Sequence, residues 1–384
     1  MKKLGIVVLM LTVLFVVGCI DSSEETMLTE EKPVSVIETE ALKSAYVSWY
    51  GRTHYKDAHM YFYHTATGFK LSFYGRVLEI EFMLVDKIND IYYSIAKDGE
   101  DLLTSDVFIQ SEQTSSLFVE FDTYDYHTIE VVKRSEPEDG ITAVKKMTTN
   151  GYFIEVEKEE QPHFLIIGAS GISGHGALGS PGQPRTTANS SSLHSFGYLT
   201  AQAFNGSYEF VASSGWGLAF GYNDRTGQSN IAKAYDYVGI DPNREIIEIS
   251  HEHIQTPDYI IINIGGNDYT SVINRLTGFE RTEKILEFKD AVAIFILKLR
   301  EHAPNAHIFW TMTEGSMNGK AAKEVIDRLD VSDRGFVHVV IIKQVGEDGD
   351  LAGANNHASY VTHQKSAQNL IDKINAILAS QSTN

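Results

Sequence analysis

Residues 164–184 read FLIIGASGISGHGALGSPGQP, a short apolar run that ends in glycines and serines and could serve two chemistries. Gly168, Gly171 and Gly174 have a GxxGxxG spacing that would let backbone amides hold a pyrophosphate at a helix start. That use requires a helix directly afterwards. Gly176, Gly179, Pro181, Gly182 and Pro184 follow instead, and such a run carries a long helix only at severe cost. The one Tyr-xxx-Lys pair, Tyr93 with Lys97, precedes the glycines, the wrong side for a reductase. The other chemistry is a nucleophile. Small neighbours allow a tight turn at a strand end that presents Ser170 and leaves amides free to face an anionic oxygen. Ser170 would attack, its own amide would join that of Gly215, and the Asn267 carboxamide would add a third donor.

These residues need elements to hold them. After Glu160, the apolar runs FLIIG, YEFVASS, YIIINIGG, HIFWTM and VHVVII alternate with helical stretches such as FKDAVAIFILKLREHA and HQKSAQNLIDKINAILA. Strands buried on both faces and separated by helices predict a parallel sheet in a three-layer α/β domain. Ligands bind such sheets beyond the carboxyl ends of the strands. Ser170, Gly215 and Asn267 each follow a different run. Residues 45–158 are instead rich in aromatic and β-branched residues, alternate in polarity and are broken by Gly, Asp and Asn, which predicts an all-β sandwich or jelly roll. Tyr61, Tyr63, Phe69 and Phe73 could line a sugar surface there, although aromatics at period two fit a sandwich core better.

The chain has 384 residues, with 32 basic and 51 acidic side chains and a formal charge of -19. Such a surface argues against nucleic acid as a partner. Lys2 and Lys3 precede an uncharged run over 4–18, short for a membrane span, so residues 1–18 read as a secretion signal. Cys19 is the only cysteine, which rules out an intramolecular disulfide and a cysteine metal cluster. Residues 19–44, acidic and without period, are expected to form a flexible tether.

The blocks GASGISGHG, SSGWGL, PDYIIINIGGND and GANNHASYVTHQKSAQNL, in this order, resemble those of the SGNH or GDSL-type hydrolases. The nearest pattern is carbohydrate esterase family two, whose members join an N-terminal jelly roll to an SGNH (flavodoxin-like) domain. Val16-Val17-Gly18-Cys19 likewise resembles the bacterial lipobox, in which the cysteine is acylated. The resemblance implies Ser170 as nucleophile, His357 as base, and Ser170, Gly215 and Asn267 as oxyanion donors. It further implies removal of O-acetyl groups from oligo- or polysaccharides with no metal or cofactor. The lipobox resemblance implies a secreted bacterial lipoprotein held to the cell envelope through lipid on Cys19. The domains expected are a signal over 1–18, the tether over 19–44, the β domain over 45–158 and the hydrolase domain over 159–384.

Two departures bear on the chemistry. Ala169 stands where the family has Asp in Gly-Asp-Ser, and Asn355-Asn356-His357-Ala358 stands where it has Asp-x-His-Pro. The acid that would orient the base is absent. Either the Asn355 carboxamide or a backbone carbonyl could take its place, and Glu347, Asp348 and Asp350 lie just upstream. His363 is a second candidate for the base. His251 and His253 alternate as metal ligands can but lack a recognisable third. Asp268 fits the cap of a following turn, and Trp216 and Trp310 suit either core or a sugar platform. The departures also leave an alternative function, a catalytically weak relative kept as a carbohydrate-binding surface lipoprotein.

Overall fold

Five parallel strands frame the C-terminal half: β1 (His163–Gly168), β2 (Ser207–Ala212), β3 (Tyr259–Asn263), β4 (His307–Thr313) and β5 (Val337–Ile342), in the order β2-β1-β3-β4-β5. The computed structural model describes residues 34–157, 160–224, 226–252, 255–343, 345–346 and 351–381. Side chains alternate across the sheet, so the continuous apolar run of β1 serves two cores at once. Leu165 and Ile167 pack with Phe288, Val292 and Phe295 of helix α2 (Gly278–His302). Phe164 and Ile166 pack on the other face with Phe196 and Tyr198 of α1 (Phe196–Ala203) and with Leu370 and Ile374 of α4 (Tyr360–Gln381). A third helix, α3 (Met317–Ile326), joins the α2 side through Ala321, Ala322 and Ile326. The three-layer domain expected from the alternation of runs and helices is therefore what forms. Because β1 lies between β2 and β3, the chain leaves it in opposite directions, which opens a crevice at the carboxyl ends of these three strands.

The N-terminal half is antiparallel throughout its ten-stranded sheet. Its backbone is a pair of 20-residue strands, Gly68–Lys87 and Thr114–Lys133, whose register shifts between Gly75 and Val77. Phe69, Leu71, Phe73, Leu78, Ile80 and Phe82 along the first of these are fully buried. Their spacing changes phase at the irregularity, where an extra residue switches which face points inward. Tyr61, Tyr63, Phe69 and Phe73 are all core residues, so the sugar surface considered for them does not exist. Trp216 and Trp310 are also core, 0% and 1% exposed.

The tether expected over 19–44 ends earlier than its composition suggests. Ser35–Glu38 is a strand that pairs with residues 146–149, and Ile37 and Leu42 are buried in the β core. Two apolar side chains at the right depth suffice to dock this acidic segment, which has no period long enough to read. The leader over 1–18 and the first part of the tether, Cys19 included, lie outside the described residues.

Arg52 links the two halves. It is 0% exposed and reaches from the β domain to Glu209 on β2, with Nη2 2.6 Å and Nε 3.0 Å from Oε1, while Nη1 donates to the carbonyls of Tyr235 and Tyr237. Burial opposes the Glu209 charge, but Arg52 and the nearby His251 hold its carboxyl well below the usual range. Breaking a buried, hydrogen-bonded ion pair from one side leaves an uncompensated charge. Arg52→Ala should therefore lower the unfolding free energy by about 3–5 kcal/mol in urea denaturation; a loss below about 1 kcal/mol would mean that the pair does not join the halves.

Candidate active site

Ser170 sits two residues beyond β1 in a turn closed by the amides of Ile172 and Ser173, both donating to the Ala169 carbonyl. Gly215 follows β2 at φ +80°, and Asn267 follows β3 at the start of a wide helical turn. The Nδ2 of Asn267 donates to the Trp216 carbonyl at 2.7 Å, which keeps its carboxamide against the Gly215 turn. Among the described residues, the amides of Ser170 and Gly215 donate to no protein acceptor. The three donors named from the sequence thus stand at three neighbouring strand ends.

His357 comes from the turn before α4 and meets Ser170 across the crevice, with Nε2 2.8 Å from Oγ. The glycines after Ser170 explain how the two turns come so close. Gly176, at φ +65°, accepts the Ala354 amide on its carbonyl, and a Cβ there would lie 2.6 Å from the Ala354 oxygen. The amide of Tyr360 bonds to Ala177 and that of Asn355 to Gln183. A glycine-rich loop that could not hold a long helix is the bed on which the His357 turn rests.

The imidazole is oriented by a backbone oxygen. Nδ1 of His357 donates to the Asn355 carbonyl at 3.1 Å. The Asn355 side chain, considered above as the acid's substitute, turns away, and its Nδ2 lies 3.3 Å from Nε2 of His175. The physical reason is the backbone: Asn355 and Asn356 both have left-handed φ, 53° and 55°, which swings the carbonyl of Asn355 toward the base and its side chain outward. An acid placed at 355 would face His175. Burial lowers the His357 pKa below its ordinary 6.5, helped by His175 and opposed by the Asn355 carbonyl and Glu136. The imidazole is thus neutral at pH 7, with its lone pair on the Ser170 side.

The remaining candidates fall away from this pair. His363 is buried in α4 and accepts the Phe196 amide on Nδ1, and burial pushes its pKa down to about 3. Asp268 caps no following turn. It is fully buried and accepts the amides of Leu218, Ala219 and Phe220, so it anchors the loop that follows Gly215. Burial pushes its carboxyl up to about 6 against those three donors. His251, considered as a metal ligand, instead lies in a largely buried position 3.8 Å from Glu209. His253, Glu347, Asp348 and Asp350 lie outside the described residues.

Sequence reasoning missed a buried polar cluster beside the base. Glu136, Glu138 and Asp139, in the EPED turn of the β domain, meet Arg185, with Nη2 2.5 Å from Asp139 and 3.4 Å from Glu136. Arg244 lies 3.2 Å from Glu138, and a Cβ on Gly215 would sit 2.7 Å from its Nη1. Glu136, Glu138 and His175 converge closely enough to suggest a cation. The two guanidiniums already fill that role, which makes the group an ion-pair network. Nothing in a short acidic run distinguishes such a turn from a solvated loop. A polar cleft of about 840 Å³, lined by Tyr222, Asp224, Gln228, Asn243, Arg244 and Arg275, adjoins this corner, where the Tyr222 amide donates to the Gly215 carbonyl.

The β2-β1-β3-β4-β5 sheet, with a serine and a histidine at its carboxyl edge and an antiparallel domain before it in the chain, has a fold like that of SGNH-type α/β domains. Residues 49–154 match the family model described as carbohydrate esterase 2 N-terminal. An acetylxylan esterase/glucomannan deacetylase of Cellvibrio japonicus (strain Ueda107) is 29% identical over 179 residues, 44% of this chain and 49% of that protein. The chain thus spans about half the length of this curated relative. Among solved structures, an acetyl xylan esterase (Est2A) from the rumen bacterium Butyrivibrio proteoclasticus superposes at a TM-score of 0.76, with 21% identity, over 90% of this chain and 99% of that one. A family two carbohydrate esterase from Clostridium thermocellum in complex with cellohexaose gives 0.74, with 23% identity, over 87% and 99%. In sequence and in fold the chain resembles carbohydrate esterase family two.

Proposed function

We propose that this chain is a serine esterase that removes O-acetyl groups from carbohydrates. The observation that carries this reading is the 2.8 Å contact between Ser170 Oγ and His357 Nε2 at the mouth of the crevice. Ser170 gives its proton to Nε2 as Oγ attacks the acetyl carbon. Nδ1–H keeps its bond to the Asn355 carbonyl, and the imidazolium that forms is stabilised by that dipole. Negative charge on the carbonyl oxygen is met by the amides of Ser170 and Gly215 and by Nδ2 of Asn267. Collapse breaks the ester bond, and His357 returns the proton to the departing sugar oxygen, which leaves as a hydroxyl. Water, deprotonated by His357, then attacks the acyl-enzyme to release acetate and regenerate Ser170.

The polar cleft beside Gly215 and the absence of a long apolar run near Ser170 support a hydrophilic alcohol and a short acyl group. The Cellvibrio relative is named for acetylxylan and glucomannan, and the Clostridium structure holds cellohexaose. An acetylated, β-linked plant oligo- or polysaccharide is the substrate class we assign. We read the N-terminal antiparallel domain as a jelly roll that begins near residue 35 with the docked strand, not at the expected 45, and ends near 158, with the hydrolase domain over 159–384. The intact reactive pair favours turnover over the alternative of a binding protein without catalysis.

We also propose that the mature chain is a bacterial envelope lipoprotein acylated on Cys19, a reading that rests on the Val16-Val17-Gly18-Cys19 pattern. Labelled fatty acid should be incorporated in a bacterial host and lost in Cys19→Ser; label retained by that variant would refute the anchor.

Residues from about 34 onward, which keep the docked Ser35–Glu38 strand, should hydrolyse p-nitrophenyl acetate much faster than the octanoate, and release acetate from acetylated xylan. Ser170→Ala should lower kcat by roughly 10⁴-fold or more. The His357 pKa lies below 6.5, so kcat/KM should stay level from neutral pH down and fall only as the pH drops through that lowered value. Equal turnover by wild type and Ser170→Ala, or a preference for octanoate, would reject the assignment.

A further inference from the structure

One buried carboxylate near the base takes no part in the proton transfers between Ser170, His357 and the ester. Glu136 belongs to the turn joining two strands of the β domain and is 0% exposed. Its Oε2 accepts from Ser173 Oγ at 2.9 Å and from the Ser214 amide at 2.8 Å. Its Oε1 lies 3.1 Å from Nδ1 of His175 and 3.4 Å from Nη2 of Arg185. His175, whose Nδ1 is also 2.8 Å from Ser214 Oγ, accepts from Asn355 Nδ2 on its other nitrogen, and its ring centroid is 4.4 Å from that of His357. Asn355 then presents its carbonyl to Nδ1 of His357. A hydrogen-bonded chain thus runs from a carboxylate of one domain to the back of the base in the other.

We propose that Glu136 and His175 are positioning residues of the base: they hold the left-handed Asn355 turn so that its carbonyl meets His357, and the Glu136 carboxylate supplies across the domain boundary the negative charge missing at position 355. The proposal rests on the Ser170–His357 reading above. Two consecutive non-glycine residues at left-handed φ persist only where their surroundings hold them, and the amide of Asn355 bonded to Gln183 and its side chain bonded to His175 are those contacts. Burial opposes ionisation of Glu136, but His175, Arg185 and the Ser214 amide outweigh it and keep the carboxyl charged.

The charged and titratable groups around this chain come from six elements. His357 faces His175, with Glu136 behind it and His363 of α4 further off. Glu136 faces His175 and Arg185, with Glu138 and Asp139 on its own turn and Arg244 reaching Glu138 from the loop between residues 240 and 246. Lys133, fully buried, lies on the β-domain side. Of these, the Glu136 charge raises the His357 pKa and His175 lowers it. Removing the Glu136 charge must therefore move the base downward.

The test compares Glu136→Gln and Asn355→Gly in the whole chain, with p-nitrophenyl acetate across the pH range. Glu136→Gln should lower kcat about 10-fold with KM little changed, and shift the acid limb of kcat/KM down by about half a pH unit. Asn355→Gly adopts the left-handed turn without strain and deletes only the bond to His175; kcat should fall about 3- to 10-fold with the limb moved the same way. If Glu136→Gln does not fold, Asn355→Gly decides alone. A purely structural ion pair would lower the unfolding midpoint and leave kcat and the limb in place, and that result overturns the proposal. Ser170→Ala and His357→Ala separate the two levels. Both inert with Glu136→Gln fully active sinks this inference alone, whereas an active Ser170→Ala sinks the reading beneath it.

Discussion

The site depends on a single bond, the one from Nδ1 of His357 to the backbone oxygen of Asn355. It fixes the proton on the far side of the ring and turns the lone pair of Nε2 toward Ser170, the task usually given to a carboxylate. A carbonyl does this with a dipole and no charge, so its direction matters more than an acid's would. That direction is set by backbone conformation. The left-handed pair Asn355–Asn356, the loop of Gly176 beneath it and the start of α4 behind it are consequently parts of one device. Ala169 is coherent with this arrangement: the turn of Ser170 closes through backbone bonds to the Ala169 carbonyl and needs no side chain at 169.

The two domains are not a catalytic unit with an appendage. Arg52 delivers a guanidinium into the edge of the parallel sheet, and Glu136 delivers a carboxylate behind the base. Thr65 donates to Ser192, and Arg134 reaches the carbonyls of Ala188 and Ser190, in the segment that supports the Gly176 loop. Buried polar groups placed on both sides of a boundary fix its register, since each leaves an unpaired partner if the domains shift. The β domain thus contributes rigidity and charge to a crevice whose reactive atoms belong to the other half.

Much of this was legible before the fold was known, for identifiable reasons. Ser170, Gly215 and Asn267 end apolar runs, and a parallel sheet collects strand ends on one edge, so order and spacing alone brought them together. The parallel strands were readable because burial on both faces leaves continuous apolar runs. What stayed hidden depends on direction and distance. Whether Asn355 would use its side chain or its carbonyl is decided by a φ of 53°, which the sequence ANNHA does not encode. Glu136 sits in a charged turn of another domain, where its composition resembles a solvated loop. Trp216 and Trp310 lie at strand ends where core and ligand platform have the same signature, and Ile37 and Leu42 are too sparse to mark a docked segment.

The claim on which the account stands is that Ser170 carries the acyl group. Rapid quenching of the whole chain with p-nitrophenyl acetate, followed by peptide mass spectrometry, should find one acetyl group on the peptide containing Ser170, formed in a burst and lost at the rate of turnover. Steady turnover with no acetylated Ser170 at any time, or with the acetyl group on another residue, would contradict it.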